Sequence, residues 1–226
     1  MHFIRPKSST FDLCELVAEG EGLHTEFKRL LNSAPKIARS ISAFANTSGG
    51  VILVGVDDDR RIVGIRSEKE TLQIIEEAMS NHLDPQPEIE LFVEEFKSRM
   101  VLVVSIPESP YSPHFHIDET RRYDTGKPVV ERRVFIRDGS HNRAASEDRI
   151  ALMLSSDEPV RMTFTEREHR LLAYLSEHDR ITTEEFARLA EIPLHEARRI
   201  LILLVRADAI RMLTDGKRSC YTLFAV

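Results

Sequence analysis

Tryptophan is absent from this 226-residue chain, cysteine occurs only twice, glycine nine times and proline ten. Cys14 and Cys220 are too few for a four-thiolate zinc site and far enough apart to read as ordinary buried thiols. Glycine and proline are too scarce for a collagen-like or low-complexity chain. No stretch of eighteen apolar residues occurs, which excludes a membrane-spanning helix. The first residues mix Arg5 and Lys7 with polar side chains and contain no apolar signal core, so the expectation is a cytoplasmic protein without a membrane partner. What is present is a globular composition, 42% hydrophobic and 30% charged, enough for one large domain or two modest ones.

Charge of one sign is also lacking. The net charge of -6 does not advertise nucleic-acid binding, but its distribution is uneven. Residues 164–226 hold ten basic and ten acidic side chains, and the whole acidic excess lies in residues 1–163. Any anion site in the first part must therefore be local.

Hydrophobic periodicity then divides the chain. A short helix over 10–18 is broken by Gly20 and Gly22, and residues 24–30 look extended. In that strand Phe27 faces inward while His24, Glu26 and Lys28 share the other face. Ser33 and Pro35 start a helix that runs to Asn46 with Ile37, Ile41 and Phe44 at helical spacing. Thr47-Ser48-Gly49-Gly50 leads directly into the apolar strand 51–56, and residues 62–65 return as a hairpin partner. A helix over 68–83 and strands over 89–96 and 100–106 follow. Residues 107–130 read as a long loop, 134–137 as a last strand, and 147–154 as a helix capped by Ser146. The pattern makes residues 1–154 a first domain, 155–163 a linker around Pro159, and 164–226 a second domain. The second domain contains three helices and a hairpin closed by Asp215-Gly216, the order of a winged helix-turn-helix. The fold class is α/β (α+β), a mixed-sheet lobe followed by that unit.

Four features carry candidate chemistry. Glu21 and Glu26 flank the start of the first strand, and Asp57 and Asp58 lie just past strand 51–56. If those strands are neighbours, three carboxylates can converge at one sheet end, the donor set that Mg²⁺ or Mn²⁺ needs for phosphodiester cleavage. Lys28, on the face of Glu26, is placed to orient a phosphate or help generate the nucleophile. In the 42–50 turn, Asn46 either caps its helix or holds the turn next to a ligand, and the turn lacks the Lys-Ser/Thr ending of an ATP-cradling P-loop. His114 and His116 bracket Phe115 in the long loop; a pair of imidazoles can bind Zn²⁺, but with no Cys nearby they read as loop histidines.

In the second domain the third helix presents His195, Arg198 and Arg199 outward, opposed by Glu191 and Glu196. Lys217 and Arg218 sit at the hairpin tip, suited to backbone or minor-groove contact. The run Ile200–Val205 is apolar all round the helix; one side serves the core, so the other is expected to meet the first lobe or a second subunit in a homodimer.

Glu21…Glu26-Phe27-Lys28, the segment 42–50 (SAFANTSGG), Val51–Asp58 (VILVGVDD) and Ile62-Val63-Gly64 closely resemble the Schlafen AlbA-type domain. Val134–Ser140 with Asn142-Arg143 and Ala145-Ser146 is similar to that family's closing strand and turn, so the resemblance covers about residues 12–154. It implies a protein of the bacterial and archaeal type that carries a C-terminal winged helix and is described as a transcriptional regulator. Animal members include RNA endonucleases with a three-carboxylate, divalent-metal site, and the matching positions here are Glu21, Glu26 and Asp58. Those enzymes grip RNA with two lobes, whereas this chain has one, which a homodimer would restore. Arg132, Arg137 and Arg143, clustered late in the lobe, are the candidate phosphate contacts there.

The leading expectation is a DNA-binding transcriptional regulator reading duplex DNA through His195, Arg198, Arg199, Lys217 and Arg218. The alternatives are a Mg- or Mn-dependent endoribonuclease or single-stranded DNA nuclease using Glu21, Glu26, Asp58 and Lys28, and a non-catalytic docking scaffold. Whether the chain is an enzyme is left open by the residues themselves.

Overall fold

The computed structural model describes residues 12–121, 128–155, 159–160, 163–215 and 218–224. The chain divides into two compact units, Met1–Ala144 and Ala145–Val226.

The first unit begins with α1 (Leu13–Glu19), whose N-cap Asp12 accepts the backbone N–H groups of Cys14 and Glu15. Strand β1 (Thr25–Lys28) is followed by α2 (Ala34–Ala45) and β2 (Gly50–Val54). Because β1 and β2 run parallel, with Glu26 opposite Ile52, a crossover is obligatory, and α2 supplies it. Helix α3 (Glu68–His82) leads into the short β3 (Leu83–Asp84), then into β4 (Glu90–Phe96) and β5 (Arg99–Ile106). The first sheet has the order β1-β2-β5-β4, antiparallel except for its first pair.

Alternation along β2 assigns its two faces. Ile52 and Val54 pack with Ile37, Ile41, Phe44, Ile75 and Leu102 on the side of α2 and α3. Val51 and Leu53 pack with Leu13, Val17, Phe27 and Val103 on the side of α1. Both faces being covered explains why the strand reads as an unbroken apolar run. Each fully buried Ile, Leu or Phe in these layers contributes roughly 1.5–3 kcal/mol.

A second sheet, β3-β6-β7-β8, contains β6 (Phe115–Arg121), β7 (Pro128–Asp138) and β8 (His141–Ala144) and is antiparallel throughout. It lies against α2, which is why nearly every side chain of that helix is buried. The expected loop 107–130 is thus replaced in part by β6. Its alternating His116, Asp118 and Thr120 hid a strand that exists because β7 and β3 pair with it.

Asn46, the C-cap of α2, joins the layers. Its Nδ2 donates to the carbonyls of His114 (2.9 Å) and Phe135 (3.0 Å), and its Oδ1 accepts the His114 N–H at 2.7 Å. It therefore ends the helix, one of the two roles open to it, and its side chain also holds the backbone at His114 and Phe135. Gly50, at φ 156, has no room for a side chain. A Cβ there would lie 2.5 Å from the His24 carbonyl oxygen and 2.6 Å from the Phe44 ring.

The second unit starts with α4 (Glu147–Leu154), capped by Ser146, followed by α5 (Glu166–Glu177), α6 (Thr183–Leu189) and α7 (Leu194–Arg206). Capping boxes at Thr165 and Thr182 start α5 and α6, the Thr-x-x-Glu spacing that satisfies two backbone donors reciprocally. Strands β9 (Ile210–Asp215) and β10 (Arg218–Leu223) form an antiparallel hairpin, and Ile181, between α5 and α6, pairs with Tyr221 of β10. Leu171, Phe186, Ile192, Leu201, Leu204 and Tyr221 form its core. The division between units falls ahead of α4, not in the 155–163 connector, because α4 packs on α7. Among the described residues no helix is long and apolar enough to cross a membrane.

Candidate functional site

Strands β1 and β2 are neighbours, as the carboxylate reading requires, yet the carboxylates do not converge. Glu26 points toward α2, where its Oε1 accepts Ser40 Oγ at 2.6 Å and pairs with Lys28 Nζ at 2.7 Å. Its Oε2 receives Arg137 Nη1 at 2.5 Å and Asn142 Nδ2 at 3.3 Å. Asn142 also donates to Ser40 Oγ at 2.9 Å. Glu21 caps the edge of the sheet, accepting the Phe27 N–H at 2.8 Å. Asp58 stands exposed in the turn after Val56, several residues beyond the β2 position that faces Glu26. Its neighbour Asp57 closes that turn by accepting the Arg61 N–H at 2.8 Å.

The expected Mg²⁺ or Mn²⁺ site is therefore corrected. Among the described residues, no three His, Cys, Asp or Glu side chains are gathered as metal ligands. The charge of Glu26 is met by organic cations instead. The guanidinium of Arg137, 1% exposed, lies against a carboxylate that is 5% exposed, and it also donates to the Asn142 side chain at 2.8 Å and the Gly22 carbonyl at 2.5 Å. The face of the Phe44 ring, 4.4 Å from the guanidinium carbon, completes the enclosure. Burial opposes ionisation of Glu26, but the charge and hydrogen bond of Lys28, with Ser40 and Arg137 behind them, hold its pKa below the usual carboxylate value. The ensemble is a buried ion network in which both carboxylate oxygens of Glu26 are engaged while Arg137 Nε is left without a hydrogen-bond partner, so the carboxylate is not free to bind metal. A metal-dependent nuclease built on Glu21, Glu26 and Asp58 loses its ligand set, and with it the role assigned to Lys28.

Arg137 is likewise unavailable to phosphate, being enclosed in that network. Arg132 pairs with Asp84 at 2.7 Å and covers the Phe115 ring, and Arg143 pairs with Asp138 at 2.5 Å. Both remain half-exposed, with a carboxylate already beside each cation.

His114 and His116 are both buried; His116 lies in β6 and not in the expected loop, whereas His114 immediately precedes that strand. His114 Nδ1 donates to the Pro85 carbonyl at 2.6 Å, and His116 Nε2 donates to that of Pro35 at 2.8 Å. Burial outweighs these bonds and lowers the pKa of both rings, so each is held neutral.

On α7, His195 and Arg199 are exposed. Arg198 instead turns to α4, where Nε donates to Asp148 Oδ1 and Nη2 to Glu147 Oε2, each at 2.6 Å. Asp148 Oδ2 accepts Thr183 Oγ1 at 2.7 Å, so one carboxylate ties α4, α6 and α7 together. Burial works against the Arg198 charge, but Asp148 and then Glu147 more than offset it and raise its pKa. Ile202, one turn after Arg198 on the same side of α7, is also buried. Much of the apolar belt expected to meet the first lobe or a second subunit is thus buried in the single chain. Arg218 is exposed on β10, and Lys217 lies outside the described residues. Asp148 and Thr183 carried no recognisable signal; their importance arises from pairings 35 and 50 positions apart in the chain.

These observations define a two-unit protein with a mixed α/β lobe whose central helix is clasped between two sheets. The family model described as Schlafen, AlbA_2 matches residues 21–146, more than half of the chain, and the chain belongs to that family. Among solved structures it is similar to the N-terminal domain of a RecG-related protein from Nitrosomonas europaea, at 24% identity over 57% of this chain and 92% of that one, with a TM-score of 0.42. It is also similar to the DIP2311 protein from Corynebacterium diphtheriae, at 16% identity over 68% of this chain and 32% of that one, with a TM-score of 0.41.

Proposed function

We propose that this protein is a DNA-binding transcriptional regulator whose second unit is a winged helix-turn-helix that contacts duplex DNA, joined to a Schlafen AlbA_2 lobe. The observation that carries the reading is the order of elements in that unit. A helix, a single paired position at Ile181, two further helices and a hairpin follow one another, and Ile181 pairs with Tyr221 of the last strand. In such a unit the third helix enters the major groove and the hairpin lies along the backbone. That helix is α7, and its outward side chains at the N-terminal half are His195 and Arg199, with Arg218 on the hairpin. Arg198 has a different part: it secures α4 to the reading helix and contributes position rather than base contact. The neutral charge of residues 164–226 implies weak non-specific affinity, since that term follows the number of phosphates neutralised.

The test is fluorescence anisotropy on duplex DNA from the protein's own promoter region, across a series of salt concentrations. His195→Ala with Arg199→Ala is expected to weaken specific binding by about tenfold or more, one good base contact being worth about 1–3 kcal/mol. Arg218→Ala is expected to flatten the slope of log K against log salt by roughly 0.9 for each phosphate it no longer neutralises. Equal affinity of the wild type for promoter and unrelated DNA, unchanged in both variants, would refute the proposal.

A further inference from the structure

Beside α1, in a lobe that carries the acidic excess of the chain, a pocket of about 630 Å³ is bounded by Arg60, Arg61, Lys97 and Arg99, and among the described residues no carboxylate lines it. Its remaining wall includes Val17, Ile62 and Phe96. We propose that this pocket is a binding site for a small organic phosphate, an anionic head joined to an apolar or aromatic body. The site is independent of the DNA reading above.

Three of the four cations are positioned without being neutralised. Arg60 Nη1 donates to the Ala18 carbonyl at 2.6 Å, and Arg99 Nη1 donates to the Ile62 carbonyl. Lys97 Nζ lies 5.2 Å from the centre of the Phe96 ring. Among the described residues only Arg61 of this group is ion-paired, with Asp57 and Asp59. A carbonyl fixes one donor of each arginine and leaves its full charge and remaining donors, whereas a carboxylate partner would cancel the charge. Capping α1 explains the bond from Arg60 to Ala18, but it does not explain why three cations converge with no described anion among them.

The backbone is built around the same groups. Arg60 has φ 62 and Lys97 has φ 47, a left-handed conformation that glycine or asparagine adopts more cheaply. Gly20 is bare where the guanidinium lies, since a Cβ there would stand 2.7 Å from an Arg60 nitrogen. At Lys97 the positive φ belongs to the two-residue hairpin turn between β4 and β5, where Ser98 at φ 64 shares it; this turn and the one at Arg60 each present a cation to the same pocket.

Charge and volume define the ligand class. Three such cations exceed what a single carboxylate offsets, while a phosphate near -2 meets most of their charge and accepts from forked donors. The pocket lies within the size range of organic-ligand sites and has an apolar wall that an inorganic ion would leave unused.

The test uses the full chain, calorimetric titration and the alkylation rate of Cys14, which lines the pocket and is exposed while Cys220 is buried. The probes are inorganic phosphate, phenyl phosphate, adenosine monophosphate and a short single-stranded oligonucleotide. Phenyl phosphate or the nucleotide is expected to bind about tenfold more tightly than inorganic phosphate, and to slow alkylation of Cys14. Arg60→Asn with Lys97→Asn keeps residues that accept positive φ, so the fold should persist by circular dichroism while binding and protection are abolished. The proposal is overturned if no probe gives saturable binding near 1 mM, if binding leaves Cys14 alkylation unchanged, or if the folded double variant binds as the wild type does. Equal affinity for inorganic and organic phosphate would also overturn it, as would much tighter binding of the oligonucleotide, which would make this a strand-binding surface.

Discussion

Replacing Arg137 by methionine tests the buried ion network directly. The variant keeps most of the side-chain volume between Glu26 and the Phe44 ring but removes a guanidinium that is 1% exposed. Glu26 would keep Ser40, Asn142 and Lys28. Losing one partner of a buried pair costs about 3–5 kcal/mol. Lys28 remains at 2.7 Å and is 35% exposed, so it compensates in part, and the expected loss lies near the lower end, about 3 kcal/mol. For urea unfolding with a slope of about 2–3 kcal/mol/M, this lowers the midpoint by roughly 1–1.5 M. Amide hydrogen exchange of β1 and α2 reads the loss in the first unit alone. Glu26→Gln leaves a buried guanidinium without its carboxylate and should cost a similar amount. The double variant should cost less than the sum of the two, by at least about 1 kcal/mol, because each single change strands the other charge. The difference between wild type and Arg137→Met should hold above pH 4.5, the ordinary value for Glu26, and fade as pH falls through its lower folded-state pKa. A loss below about 1 kcal/mol for the single variant, or strict additivity in the double, would refute the network's role.

Gly50→Ala should destabilise the lobe by about 3 kcal/mol or more, since the new Cβ overlaps a backbone carbonyl and the Phe44 ring; a thermal melt within a degree or two of wild type would contradict this. Burial lowers the pKa of His114 and His116 in the folded state, so the unfolded chain binds protons first. Stability should be flat above about pH 6.5 and decline as pH falls below it. The pH dependence of urea midpoints checks the sign, and His114→Gln with His116→Gln should flatten the curve. Asp148→Ala removes the acceptor shared by Thr183 and Arg198 and should lower the melting temperature of the second unit on the order of 10 °C, from a loss of about 2–3 kcal/mol. A drop under about 2 °C would show that α4 is held by other interactions.

The local elements were largely legible. Residues 34–45 announce a helix through Ser33, Pro35 and the spacing of Ile37, Ile41 and Phe44, and 51–54 announce a doubly covered strand by their unbroken apolar run. Strand β6 was not legible, because His116, Asp118 and Thr120 make a polar alternation that takes meaning only once β7 and β3 lie beside it. The candidate site divided in the same way. The adjacency of β1 and β2 was only a condition in the sequence and was met by their pairing, and the partner of Glu26 was not legible at all, since Arg137 lies 111 positions away.

The sequence by itself determined the class of fold, the family lobe and the second helical unit, because helix periodicity, strand alternation and caps are local properties of the chain. Tertiary structure alone decided what the charges do. It gave Glu26 a guanidinium where a metal was expected, turned Arg198 toward α4, and gathered Arg60, Lys97 and Arg99 around a pocket with no described carboxylate in its wall. Charge is read from composition, but its effect depends on which opposite charge lies within a few ångströms, and long-range packing sets that distance.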